Sequence, residues 1–306
     1  MISQLLVLIV SIVVLWLGAV WIVESAARLA RRLGLSDLVI GLTVVAIGTS
    51  LPELAVSADA AFEGSPDIAL GNVIGSNIFN VGIILGGVAL VRGINMSRQI
   101  VYRDGFILLV SAILLAVFLS DLHLARWEGG ILLAMIAGYL LYLGISREMP
   151  DEETPAGEFS RMDIPRLVGG LIVVLAGAHF LVESASTIAR SFGVSEWLIG
   201  VTIVALGTST PEIATSAAGL VRGLHNVSAG NLIGSDLFNI LGALGLAAVI
   251  APFTVGAVAQ QSLPLMIGMV LALLIMMRSG WQLSRWEGGL LVLLGLARWG
   301  INVGGW

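Results

Sequence analysis

The hexapeptide GTSLPE occupies residues 48–53, and the related GTSTPE occupies residues 207–212, each after a long apolar run. A proline followed by a glutamate is unexpected there, because proline interrupts a helix and a carboxylate is costly to bury in an apolar medium. A shift of 159 residues aligns the two halves of the chain around these motifs without a gap. The chain is therefore predicted to contain an internal repeat.

The composition is that of a membrane protein. Of 306 residues, 58% are hydrophobic and 11% are charged, and the mean hydropathy is +1.01. Apolar runs long enough to cross a hydrocarbon core of about 30 Å recur with short polar breaks between them. Cysteine is absent and the three histidines are scattered, so any metal ion must be bound by oxygen atoms. We predict an all-α integral membrane protein in contact with the lipid bilayer. We expect no enzymatic activity, no cofactor, no nucleic-acid partner and no obligatory protein partner.

Ten transmembrane helices are predicted, arranged as two five-helix repeats. Their approximate positions are 4–26, 38–62, 68–91, 104–120, 125–146, 164–188, 196–221, 227–250, 263–277 and 284–301. The acidic stretch 147–163 is predicted to be a cytoplasmic linker between a first repeat, 1–146, and a second, 164–306. Similarity is concentrated in the α-repeats 41–86 and 200–245, where 22 of 46 positions are identical. The chemistry is expected to reside there.

The arginine distribution predicts that the second repeat is inverted in the membrane. An odd number of helices in each repeat makes the second repeat enter from the opposite side. If the N-terminus and the C-terminus both lie outside, twelve of the fifteen arginines fall in cytoplasmic segments, in agreement with the positive-inside rule. Three arginines of the first repeat, Arg92, Arg98 and Arg103, are also replaced by uncharged residues in the second.

Glu53 and Glu212, the last residues of the two motifs, need a compensating charge in the membrane. The chain has no lysine, and its arginines lie near span ends or in loops, so a structural ion pair is disfavoured and a bound cation or a proton remains. Pro52 and Pro211 are predicted to break the helix around Gly48–Thr49 and Gly207–Thr208, which leaves backbone carbonyls available to a cation. A proline kink relieved by threonine and serine hydroxyls is the structural alternative.

A polar stripe runs along the next helix of each repeat. Its residues are spaced by four and are Asn72, Ser76 and Asn80 in the first repeat and Asn231, Ser235 and Asn239 in the second. Hydrogen bonding between helices is the alternative role, and it stays open above all for Asn72 and Asn231. If the inverted halves bring Glu53 and Glu212 together, carboxylate, hydroxyl, amide and carbonyl oxygens would form a cage suited to Ca²⁺, with smaller subsets suited to Na⁺.

The paired motifs resemble those of a known transporter family. GTSLPE with GNVIGSNIFN, and GTSTPE with GNLIGSDLFN, are similar to the α-repeats of the sodium/calcium exchanger family, prokaryotic type, within the cation/calcium antiporter superfamily. The resemblance implies Ca²⁺ and Na⁺ as substrates and transport by alternating access. It implies a Ca²⁺ site formed by Glu53, Glu212 and the carbonyls of Thr49 and Thr208. It also implies Na⁺ ligands and central residues at Ser50, Ser209, Ser76, Ser235, the carbonyls of Ala46 and Ala205, and Asn80 and Asn239.

The predicted function is secondary antiport of Na⁺ against Ca²⁺ in the cell membrane. Branches of the family that cotransport K⁺ typically have an acid at the position of Asn239, so the resemblance suggests independence of K⁺. With three Na⁺ per Ca²⁺, as the resemblance also suggests, exchange is expected to be electrogenic. The alternatives are a Ca²⁺/H⁺ antiporter and, less favoured, a cation channel. The roles of Glu24, Glu183, Asp59 and Asp236 are left open.

Overall fold

The computed structural model is almost entirely helical and describes residues 2–146, 157–194, 205–256 and 262–303, together with Ile199, Ile203 and Gln260. Residues 147–156 of the predicted linker lie outside this part of the chain, as do most of 195–204, where the seventh predicted span begins. In chain order, the helices are α1 (Ile2–Leu33), α2 (Asp37–Thr49), α3 (Leu51–Phe62), α4 (Pro66–Val91), α5 (Ile100–Asp121), α6 (Arg126–Ile145), α7 (Asp163–Ser191), α8 (Ala205–Thr208), α9 (Thr210–Val221), α10 (His225–Ile250), α11 (Leu263–Arg278) and α12 (Arg285–Val303).

Six of these helices are each long and apolar enough to cross a membrane, and they are α1, α4, α5, α6, α7 and α10. The broken pair α2 and α3 is a seventh candidate if it crosses as one span. Four helices contain a wider π-turn, at Gly41–Val45, Asn80–Leu85, Ile100–Asp104 and Phe238–Ala243. Such turns are frequent at functional sites, and two of them begin at or next to the asparagines of the polar stripe.

Two very short strand pairs join the helix ends. Strand β1 (Ile94–Asn95) pairs antiparallel with β4 (Gln282–Leu283), and β2 (His123–Leu124) pairs antiparallel with β3 (Phe253–Thr254). Each pair connects a loop of the first half of the sequence to a loop of the second half.

The chain divides into two compact units, and each contains segments from both halves of the sequence. Unit 1 comprises Met1–Thr49, Glu148–Asn231 and Leu296–Trp306, and unit 2 comprises Ser50–Arg147 and Leu232–Gly295. The units therefore do not coincide with the two repeats, each of which is one continuous half of the sequence. The division into repeats rests on sequence similarity and remains a prediction.

Unit 1 is centred on the packing of α1 against α7. A Cβ atom at Gly18 would lie 3.0 Å from the carbonyl oxygen of Gly170, so glycine permits the close approach of the two backbones. Asp163, at the start of α7, accepts a hydrogen bond from Arg28 Nη2 at 2.8 Å. Glu24 pairs at 3.1 Å with Arg222, the residue that follows the last residue of α9, so its carboxylate lies in an ion pair at the end of that helix.

In unit 2, the RWEGG sequence begins α6 and α12 in the same way. Glu128 Oε2 accepts a hydrogen bond from the backbone N–H of Ala125 at 2.8 Å, and Glu287 Oε2 accepts one from Ser284 at 2.8 Å, which caps each helix. The next residue, Gly129 or Gly288, packs against the backbone of an inner helix. A Cβ at Gly129 would lie 2.7 Å from the carbonyl oxygen of Gly245, and the corresponding distance from Gly288 to Gly86 is 2.6 Å. The tryptophans of the motif are 63% and 70% exposed.

Candidate cation site

Both GTS-x-PE motifs interrupt a helix at the serine. Helix α2 ends at Thr49, Ser50 has φ −83° and ψ 7°, and α3 begins at the next residue. Ser209 has φ −86° and ψ 5° between α8 and α9. The break thus lies one residue beyond the predicted Gly48–Thr49 and Gly207–Thr208. The reason is that proline fits the first turn of a helix, where its missing N–H is not needed, so the new helix begins just before the proline.

The break places each glutamate in the first turn of a new helix. Glu53 is the third residue of α3 and Glu212 the third residue of α9, and their exposed fractions are 1% and 0%. The N-terminus of a helix carries a partial positive charge, which favours a carboxylate at this position. This partial charge lowers the cost of burying the two acids.

The serine before each proline does not cap its own helix. The sequence Ser-x-x-Glu has the pattern of a capping box, but neither Ser50 nor Ser209 makes a side-chain hydrogen bond of that kind. Instead, Ser50 Oγ donates to Ser235 Oγ of α10 at 2.8 Å. The hydroxyl of Ser50 is therefore directed to the polar stripe of α10.

Unit 2 brings several predicted site residues together around Glu53. Ser76 Oγ of α4 donates to Glu53 Oε1 at 3.4 Å, while Ser50 and Ser235 form the pair described above. All of these side chains are buried. The arrangement assembles carboxylate and hydroxyl oxygens from α3, α4, α10 and the helix break in one unit.

Asn72 has a different position from the other residues of the stripe. Its Nδ2 donates to the backbone carbonyl of Glu53 at 3.2 Å and to Ser57 Oγ at 3.1 Å. Asn72 thus fastens α4 to the first turn of α3 and supports the backbone that carries Glu53. Asn72 therefore forms hydrogen bonds between helices, which is the alternative role that the sequence left open for it.

Unit 1 contains the corresponding arrangement around the second motif. Asn231 Oδ1 accepts a hydrogen bond from Thr49 Oγ1 at 3.0 Å, and Asn231 Nδ2 donates to Thr215 Oγ1 at 2.9 Å. Thr215 Oγ1 in turn lies 2.8 Å from the carbonyl oxygen of Pro211 and donates to it. Asn231 therefore also connects helices, and it links the end of α2 to the turn that holds Glu212.

Small residues beside the breaks allow α7 to approach. A Cβ at Gly48 would meet Leu171 Cδ2, and a Cβ at Gly207 would meet Val182 Cγ2. The absence of a side chain at each glycine therefore leaves room for these side chains of α7 within unit 1. Thr208 is half-buried beside this contact, and Ala46 is fully buried. Ala205 begins α8.

Four further side chains form a buried network in unit 2. Asn80 Nδ2 donates to Asp236 Oδ1 at 2.9 Å, and Asn239 Nδ2 donates to Asn77 Oδ1 at 3.3 Å. Asn77 Nδ2 donates to the backbone carbonyl of Asp236 at 3.3 Å. Asn80 and Asn239 belong to the predicted site, whereas Asn77 is not among the residues predicted from the sequence and the sequence leaves the role of Asp236 open. The available signal was that residues 77 and 236 are equivalent in the repeat and are both polar in apolar helices.

The donor set has a clear chemical preference. It consists of carboxylate, hydroxyl, amide and backbone oxygens, which bind hard cations such as Ca²⁺ and Na⁺. Within the described ranges, no three side chains of histidine, aspartate or glutamate come together as a metal-binding group.

The chain is similar over nearly its full length to membrane antiporters. The family model for sodium/calcium exchanger proteins matches residues 3–145 and 164–296. The putative antiporter CaxA of Alkalimonas amylolytica is 36% identical, with 96% of each chain covered. The sodium/calcium exchanger MaX1 of Methanosarcina acetivorans is 34% identical, with 95% of this chain and 96% of that protein covered. A solved structure of the sodium-calcium exchanger NCX_Mj, soaked without Na⁺ and Ca²⁺, has a TM-score of 0.86 at 32% identity and 97% coverage of both chains.

The fold and the oxygen-rich interior define a multi-pass membrane transporter of the cation antiporter class. The chain belongs to the sodium/calcium exchanger family. Membership of this family implies Ca²⁺ and Na⁺ as substrates.

Proposed function

We propose that the protein exchanges Na⁺ for Ca²⁺ by alternating access, without K⁺ and with net movement of charge. The observation that carries the proposal is the pair of buried glutamates, each in the first turn of a helix that begins after a break. A divalent cation supplies the two positive charges that these acids require in the membrane. Carboxylates paired with neutral oxygens are the ligands expected for Ca²⁺.

The proposed ligands fall into three groups. Glu53, Glu212 and the carbonyls of Thr49 and Thr208 bind Ca²⁺. Na⁺ is bound by hydroxyls and carbonyls, which are those of Ser50, Ser76, Ser209, Ser235, Ala46 and Ala205. Asn80 and Asn239 line the centre. The hydrogen bond from Ser76 to Glu53 and the contact of Ser50 with Ser235 support the groups that lie in unit 2.

We expect Glu53→Gln and Glu212→Gln each to abolish Na⁺-driven ⁴⁵Ca²⁺ uptake into proteoliposomes, by at least about a hundredfold. Removal of one carboxylate leaves half of the charge on the desolvated divalent ion unbalanced, and a loss of about 2.7 kcal/mol already corresponds to a hundredfold. The matched control is Glu158→Gln, since Glu158 is exposed outside the helices. Flux like that of the unmodified protein in either site variant would refute the proposed ligands.

The strand pairs support the proposed count of ten membrane-crossing helices. Helix α5 is long enough to cross, and if it does, β1 and β2 at its two ends lie on opposite faces of the membrane. Strand β4 pairs with β1 and strand β3 pairs with β2. In this topology helix α11, which lies between β3 and β4 in the sequence, crosses as well, although it has only 16 residues. This agrees with the inverted arrangement and, through the arginine distribution, with both termini outside.

Single cysteines test this topology directly, because the chain has no cysteine of its own. Ser120→Cys and Thr254→Cys should react with a membrane-impermeant maleimide applied to intact cells. Asn95→Cys and Gln282→Cys should react only after permeabilisation. Labelling of positions 254 and 282 from the same side would exclude a membrane-crossing α11.

The nature of the site favours Na⁺ as the driving ion. Serine hydroxyls beside Glu53 can act as ligands for a second cation, whereas exchange against protons would require only the carboxylates. An amide at position 239 adds no further charge for K⁺. Exchange of Ca²⁺ against protons is the second candidate, and the next measurement separates the two.

We expect an outward-directed Na⁺ gradient, with K⁺ absent from both sides, to drive Ca²⁺ into proteoliposomes. A pH gradient alone should give less than about one tenth of that rate, because protons do not replace Na⁺ at the hydroxyl ligands. The control is an equal choline gradient. A strict need for K⁺, or equal transport with the pH gradient, would contradict the proposed coupling.

The net charge moved in each cycle depends on the ions exchanged and not on the fixed charges of the site. Three Na⁺ against one Ca²⁺ move one positive charge, for which a potential of 100 mV contributes about 2.3 kcal/mol. An inside-negative potential then favours Na⁺ entry and Ca²⁺ export. Additional acids such as Asp236 change whether the Ca²⁺-loaded or the Na⁺-loaded form carries the net charge across the membrane. They do not change the net charge moved in a complete cycle.

We therefore expect the equilibrium Ca²⁺ ratio across proteoliposomes to change about tenfold for each ~60 mV of imposed potential, since a tenfold ratio corresponds to about 1.4 kcal/mol. The potential is set with K⁺ and valinomycin in an oriented preparation, with a separate check that K⁺ itself is not transported by the protein. An equilibrium ratio that does not change with the potential would establish a two-to-one exchange and exclude the three-sodium stoichiometry.

A further inference from the structure

We propose that Asp236 and Asn77 are positioning residues, which hold the side chains of Asn80 and Asn239 so that both amide oxygens face the transported cation. The inference rests on the proposed function, because it concerns the orientation of two ligands of that site. All four residues belong to unit 2 and all are buried. They lie in the membrane-crossing helices α4 and α10.

The orientation of each amide follows from what its neighbour can donate or accept. A backbone carbonyl and a thioether only accept, so the NH₂ group of Asn77 must face the carbonyl of Asp236 at 3.3 Å and Met266 Sδ at 3.8 Å. Asn77 Oδ1 then points to Asn239 and can only accept, which requires Asn239 to present its NH₂ group. An ionised Asp236 likewise requires the NH₂ group of Asn80. The three amide orientations are therefore determined by chemistry.

Once the NH₂ groups are engaged in these hydrogen bonds, the side-chain oxygens of Asn80 and Asn239 are the atoms left to bind a cation. Asn80 Oδ1 and Asn239 Oδ1 are buried and have no hydrogen-bond partner in the part of the chain that the structure describes. Buried polar atoms are nearly always satisfied by protein, water or an ion, so these two oxygens are available to a bound cation or a water molecule. A carbonyl oxygen with no donor nearby is a good ligand for a hard cation.

The two hydrogen bonds are related by the internal repeat. Residues 77 and 236 are equivalent at the shift of 159 residues, and so are residues 80 and 239. Asn80 of the first α-repeat thus donates to Asp236 of the second, and Asn239 of the second α-repeat donates to Asn77 of the first. The same device occurs twice, which argues against an incidental contact.

The two copies differ in charge. Asp236 accepts at 2.9 Å and Asn77 accepts at 3.3 Å, in accordance with the stronger hydrogen bond to a charged acceptor. In both cases the acceptor is the Oδ1 atom, which Asp236 and Asn77 have in common. If orientation is the role of the pair, an amide at position 236 can serve in place of the carboxylate, whereas an apolar side chain cannot.

The test compares an isosteric with an apolar replacement. Asp236→Leu should raise the half-saturating Ca²⁺ concentration for Na⁺-driven uptake, and the Kd for Ca²⁺ in detergent, at least tenfold. Asp236→Asn should remain within about threefold of the unmodified protein in both measurements. The double variant Asn77→Asp with Asp236→Asn, which moves the charge to the equivalent position, should also remain within threefold.

Two further variants control for effects on folding. Ser111→Ala removes a buried hydroxyl that donates to the carbonyl of Ile107 in its own helix at 2.7 Å, and it should leave the Ca²⁺ dependence unchanged. Asn77→Leu releases the amide of Asn239 and should also raise the Kd at least tenfold, so it replaces Asp236→Leu if that variant does not fold. Thermal melting in detergent identifies unfolded preparations.

Two outcomes would overturn the inference. Affinity like that of the unmodified protein in the folded leucine variants would show that the acceptors do not position the ligands. An Asp236→Asn variant as impaired as Asp236→Leu would show that the charge matters and the orientation does not. If Glu53→Gln abolishes uptake in the same assay, these outcomes refute the positioning role alone. Failure of Na⁺-driven uptake by the unmodified protein would instead refute the proposed function.

Discussion

A carboxylate buried in a membrane protein is the constraint on which the rest of the structure depends. The chain has no lysine, and both Glu53 and Glu212 are withdrawn from solvent. The first compensation is local, because each glutamate lies in the first turn of a helix, where the backbone carries partial positive charge. The proline before it makes this possible, since it ends one helix and starts another within an apolar segment. In the proposed function, the transported cation supplies the remaining charge.

The polar residues near the two glutamates form different kinds of contact. Asn72 and Asn231 use their amides to connect helices and support the backbone of the two breaks. Ser50 and Ser76 keep hydroxyls in contact with the polar stripe and with Glu53. Asn77 and Asp236 bind the NH₂ groups of the two central asparagines. A site of neutral oxygens needs such support, because each amide can otherwise rotate and present a donor in place of an acceptor.

Packing of small residues makes this polar interior possible. In each unit, helices approach until a Cβ on one would meet the backbone of the other, as at Gly18 and Gly288. Close backbones leave little space for lipid or water between helices. They also allow short polar side chains such as serine and asparagine to reach across a helix boundary.

The sequence alone determined the membrane class, the internal repeat, the family and the two glutamates, because hydropathy, a fixed shift and a repeated motif are visible without coordinates. The tertiary structure decided the use of each side chain. Ser50 has the sequence pattern of a helix cap, yet its hydroxyl binds Ser235, 185 residues away. The sequence leaves the role of Asp236 open, but its carboxylate accepts a hydrogen bond from Asn80 of the other α-repeat. Such pairings depend on which helix lies alongside, and the pattern of a single helix does not specify its neighbour.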